Sequence, residues 1–86
     1  MALYYSAHTV ACQTKQALGE LMKDLMASAD VKVRRCVASQ LAGRMITEIE
    51  APDRTTLERW FDEHHMNVEW LMRIDIEGAA GAVQDR

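Results

Sequence analysis

The hydrophobic period of this chain alternates between that of a strand and that of a helix. This switching constrains the fold more than any other feature. Leu3-Tyr4-Tyr5-Ser6-Ala7-His8 has period two and reads as a strand, with Leu3, Tyr5 and Ala7 on one side and Tyr4, Ser6 and His8 on the other. From about Ala11 the spacing lengthens. Leu18, Leu21, Met22, Leu25 and Met26 mark one face of an amphipathic helix ending near Ala29. Val31 to Val37 is a β-branched alternating run, Gln40 to Gly43 a hairpin-like link, and Arg44 to Ala51 a further alternating strand. Pro52 stops that strand and Asp53 is placed to cap the next helix. Leu57, Trp60, Phe61 and His64 form its stripe, which runs to about Met66-Asn67. Trp70, Met72, Ile74 and Ile76 then alternate as a closing strand.

The order is β-α-β-β-α-β, the split βαβ pattern. It predicts an α+β, ferredoxin-like fold: a four-stranded antiparallel sheet with both helices on one face, since the crossovers are right-handed. One domain over residues 1–78 is expected. The small, weakly patterned residues 79–86 read as a flexible tail. The chain is 49% hydrophobic and 27% charged, which excludes a disordered or low-complexity chain. A net charge of −3 argues against nucleic acid as a partner. No apolar run reaches the length of a membrane span, and two cysteines are too few for a disulfide scaffold. A cytoplasmic protein with reduced thiols is expected.

Alternation assigns Leu3, Tyr5, Ala7, Val31, Val33, Val37, Met45, Ile49, Met72, Ile74 and Ile76 to the helix-facing side of the sheet. The other side then carries Tyr4, Ser6, His8, Arg34, Cys36, Ala38, Arg44, Ile46, Glu48, Glu50, Leu71, Arg73 and Asp75. This mixed face is open to two readings. It is either a solvated sheet face or the interface of a homodimer whose two sheets enclose a part-polar cavity, a dimeric α+β barrel. In the second reading Tyr4, Ser6, Arg34, Arg44, Glu48, Glu50 and Arg73 line a ligand cavity. Glu48 and Glu50 point into the same space there, with Arg44 and Arg73 as the nearest cations.

The same topology gathers His8, Cys12, His64 and His65 at one edge of the domain. Imidazole and thiolate are preferred donors for nickel and zinc. Each residue also has a structural reading: His64 as a packed imidazole, His65 as plain surface, Cys12 as a small buried hydrophobe.

Met1-Ala2-Leu3-Tyr4 followed by His8, the turn Glu50-Ala51-Pro52-Asp53, and the helix end Glu63-His64-His65 together resemble a family of small bacterial ferredoxin-like proteins of unknown function, some of which bind nickel. The family usually has a further histidine earlier in the second helix, where this chain has Trp60 and Phe61. The resemblance implies His8 and His64 as ligands, with His65 and Cys12 as neighbours. The expectation is a dimeric α+β barrel that binds a small ligand or a transition metal. The alternatives are a cofactor-free isomerase, cyclase or monooxygenase, with His8, Glu48, Arg44 and Arg73 as base, acid and anion clamp, and an interaction module without catalysis.

Overall fold

A computed structural model describes residues 1–86. Strand β1 (Ala2–Thr9) leads to helix α1 (Lys15–Met26), β2 (Lys32–Ser39), β3 (Arg44–Ala51), α2 (Arg54–Glu63) and β4 (Val68–Ile74). A short hairpin of β5 (Ile76–Ala79) and β6 (Ala82–Asp85) follows. The main sheet is antiparallel in the order β2-β3-β1-β4. This is the α+β, ferredoxin-like arrangement expected from the periodicity. No helix is long and apolar enough to cross a membrane.

Local chemistry sets the helix limits. The sequence places the start of α1 near Ala11, but Cys12 adopts φ 65° and the helix begins only after Thr14, whose side chain accepts from Ala17 N at 3.1 Å. Asp53 caps α2 as anticipated, accepting from Thr56 N at 2.7 Å, and this bond holds its carboxyl below the usual carboxylate range. α2 stops short of Met66 because His65 turns left-handed at φ 55°, with Met66 N returning to Phe61 O at 3.0 Å. Gly43 closes the β2–β3 turn at φ 67°, and Val10 N donates to its carbonyl at 2.8 Å. A Cβ there would stand 3.3 Å from Ala11 Cα, so both backbone angle and close approach call for glycine.

The core lies between the sheet and the helices. Leu18 and Leu25 of α1 and Leu57, Trp60 and Phe61 of α2 pack over Tyr4, Val33, Met45, Ile49 and Ala51. Trp60 Nε1–H donates to Ser28 Oγ at 2.8 Å, so the indole is buried without orphaning its polar atom.

Register corrects the assignment of faces. Tyr4 pairs with Ile49 and Ser6 with Thr47, so the even residues of β1 face the helices together with Met45, Thr47, Ile49 and Ala51. Leu3, Tyr5 and Ala7 lie on the opposite, open face. β4 is reversed in the same way: Leu71 stands opposite Ser6 and packs on the core, while Trp70 and Met72 stand opposite Ala7 and Tyr5 on the open face. In β2 the register shifts between Val33 and Arg35. Val33 and Cys36 therefore face inward, and Val37, opposite Ile46, faces outward. The stretch 79–86 carries regular strand pairing. Residues 82–85 pair with 76–79 as the β5–β6 hairpin, Ala79 opposite Ala82, and Arg86 N donates to Asp75 O at 2.9 Å.

Candidate functional site on the open sheet face

The residues singled out from the sequence fall into two groups, one on each side of the sheet. Tyr4, Ser6 and Arg73 share the helix-facing side with His8, since Tyr4 stands opposite Arg73 and Ser6 opposite Thr47. Arg34, Arg44, Glu48 and Glu50 share the open face. The expected seven-residue cavity and the His8–Glu48–Arg44–Arg73 quartet are therefore each divided by the sheet itself.

Under the helices, Ser6, His8 and Thr47 form a polar island, each 1% exposed. His8 Nδ1 lies 3.1 Å from Asn67 O, which can only accept, so this nitrogen carries the proton. Burial holds the His8 pKa below that of free imidazole, so the ring is neutral. Nε2 must then accept from Ser6 Oγ at 2.6 Å, and Thr47 Oγ1 in turn donates to Ser6. The Phe61 ring packs against the imidazole at a tilt of 60°, with centroids 4.7 Å apart. The order hydroxyl–imidazole–acceptor has the logic of a nucleophile and its base. Here the hydroxyl is closed off from any substrate, and the chain serves to bury polar groups without penalty.

The four expected metal donors are not gathered. Both His8 nitrogens are engaged. His64 packs at a tilt against Trp60, with ring centroids 4.6 Å apart, while His65 and Cys12 are exposed in separate turns. No group of three or more His, Cys, Asp or Glu side chains is placed to hold an ion. The second thiol, Cys36, packs against the core, and burial raises its pKa.

On the open face the charged groups do converge. Tyr5 Oη donates to Glu48 Oε1, and this bond, with burial and the Glu48 charge, raises the phenol's pKa so that it remains a donor. Arg34 Nε reaches Glu48 Oε2 at 3.3 Å, and its Nη1 reaches Glu77 Oε2 at 3.4 Å. Arg86 spans Glu50 at 3.5 Å and Glu77 at 3.9 Å. Glu77 thus ties the β5–β6 hairpin to the sheet, and Gln84 Nε2 donates to its other oxygen at 3.4 Å. The Arg–carboxylate pairs expected for Glu48 and Glu50 exist, but their cations are Arg34 and Arg86. Arg44 pairs instead with Glu69, at 3.5 Å.

Beside this network lies a depression of about 250 Å³ lined by Tyr5, Arg35, Val37, Ile46, Thr47 and Glu48. Arg35, Val37 and the hairpin carboxylate Glu77 escaped the sequence reading. Arg35 and Val37 are turned outward by the register shift after Val33, and Glu77 acts through an unanticipated hairpin. A signal for the shift was present in the sequence: two adjacent arginines interrupt the alternation that begins at Val31.

No family model matches the chain, and no curated protein or solved structure gives a significant match to it. The family resemblance therefore rests on its short sequence motifs alone.

Proposed function

We propose that the protein is a small-ligand-binding homodimer in which two open sheet faces pack together, forming a dimeric α+β barrel around the Tyr5–Glu48 depression. One observation carries this reading. The open face carries an ion-paired polar site and, directly beside it, apolar side chains left bare: Val37, Trp70 and Met72 are 46%, 42% and 49% exposed. A sheet face that is only solvated has no need of such side chains. A chain of 86 residues also gains stability from a partner. The metal-binding alternative has less support, because the His8 imidazole is spent on internal hydrogen bonds. The enzymatic alternative loses its proposed base for the same reason.

Light scattering is expected to give about twice the 9.8 kDa chain mass. Ile46 lies at the centre of the face, and Ile46→Asp would bury an unpaired charge in the interface, so this variant is expected to be monomeric. A monomeric wild type at micromolar concentration would overturn the barrel.

A further inference from the structure

We infer that the ligand of the open face is a small organic anion with an apolar body, held through its carboxylate by Arg35. This rests on the ligand-binding reading above and names its chemical class. The argument concerns which charges around the depression are already spent. Glu48 stands opposite Arg35 in the strand register and would be its natural partner. Both Glu48 oxygens are committed elsewhere, Oε1 to the Tyr5 hydroxyl and Oε2 to Arg34. Arg34 is doubly occupied, by Glu48 and Glu77. Arg35 makes no ion pair, so it is the one unspent charge lining the depression.

A guanidinium presents planar, forked donors that match a carboxylate with two parallel bonds. Val37 and Ile46 supply the apolar wall beside it. Both Glu48 oxygens are occupied by donors, so neither is turned bare toward an incoming anion. At about 250 Å³ the depression lies below the ~300–1,000 Å³ of sites for drug-sized molecules, which limits the ligand to roughly a single ring or a short chain.

The test uses the full ¹⁵N-labelled chain and two isosteric probes, phenylacetate and phenylacetamide, with amide shifts as readout. Phenylacetate is expected to shift Val37 and Ile46 saturably and to bind at least tenfold more tightly than phenylacetamide. Arg35→Gln, a change at an exposed side chain, is expected to reduce phenylacetate affinity to that of the amide. Lys23→Gln on α1, which removes a positive charge away from the face, should leave it unchanged. Equal binding of both probes to wild type, or a Lys23→Gln loss as large as that of Arg35→Gln, would overturn the anion assignment while leaving a ligand site in place. If neither probe shifts Val37 or Ile46, the ligand-binding reading falls, and the anion assignment with it.

Discussion

The two faces of the sheet solve the same problem differently. The helix-covered face buries nearly everything placed on it, including hydroxyls and an imidazole, by letting them satisfy one another. The open face keeps its charges at the surface and joins them through long side chains, with a hairpin tied over one end and apolar groups left bare beside the charges. Packing thus carries the stability on one side. On the other, charged and apolar side chains remain at the surface. The contrast also explains why polar residues alone are a poor guide to the site: the most chemically suggestive trio, Ser6, His8 and Thr47, is on the packed side.

Paired truncations give the largest effect and the sharpest test of this division. Phe61 is buried against both His8 and Trp60, and Phe61→Ala is expected to cost about 3–5 kcal/mol. Met72→Ala on the open face should cost under about 1 kcal/mol in dilute protein. Urea midpoints of the two variants at one low concentration provide the check. Equal losses would erase the distinction between the faces. A Met72→Ala deficit that grows with protein concentration would sharpen it, by showing what the open face packs against.

Much of the architecture was legible in the sequence, because each element has its own period and its own stop. Arg44 to Ala51 alternates without interruption and forms β3 with those limits, and Asp53 caps as its position after Pro52 suggests. The phase of β1 was not legible, for a physical reason. As a central strand it is covered on both sides, so Leu3 and Ala7 are as buried as Tyr4, Ser6 and His8, and hydropathy cannot choose between them. The deciding clue was Thr47, a hydroxyl on the inward side of β3 that required polar company across the strand. Edge strands β2 and β4 misled in another way. A register shift in β2 reverses the side of every later residue, and β4 exposes its Trp70 and Met72. Of the site, the Glu48 and Glu50 pairing was foreseeable in kind. Its cations were so only in part: alternation already places Arg34 on the side of Glu48, whereas Arg86 arrives from the hairpin.

A smaller effect is expected from the polar island. His8→Ala removes a packed ring and leaves Ser6 and the Asn67 carbonyl without their partner, which should cost about 2–4 kcal/mol. The same residue gives the packed face a pH dependence. The folded-state pKa of His8 is held below the value near 6.5 of an unfolded chain, so between the two the unfolded chain binds the proton first. The contribution of His8 to stability is complete above about pH 6.5 and is lost as the pH falls toward the folded value, with a slope of at most about 1.4 kcal/mol per pH unit. Glu69, the charged neighbour that favours protonation, softens this without reversing it. Urea unfolding at a series of pH values should show wild type losing stability below pH 6.5 more steeply than His8→Ala. Parallel profiles would mean that the imidazole titrates as freely in the folded protein as outside it.

The smallest global effect, and the most local, concerns the covered end of the open face. Glu77 accepts from Arg34 and Gln84 and is ion-paired with Arg86, so it is the point through which the β5–β6 hairpin is fastened to the sheet. Glu77→Gln keeps the shape and removes the charge. Pairs of this kind near the surface contribute about 0–1 kcal/mol, so the urea midpoint should scarcely move. Hydrogen exchange should register the change instead. Amides of 76–85 are expected to exchange several-fold faster in Glu77→Gln, while those of β1 and β3 are unaltered. Half-molar salt should bring wild type toward the variant, because screening weakens the bonds that the substitution removes. If the hairpin exchanges at the same rate in both proteins and at both salt concentrations, then its own pairing and the backbone bond from Arg86 to Asp75 hold it, and the charges on the open face are free for another use.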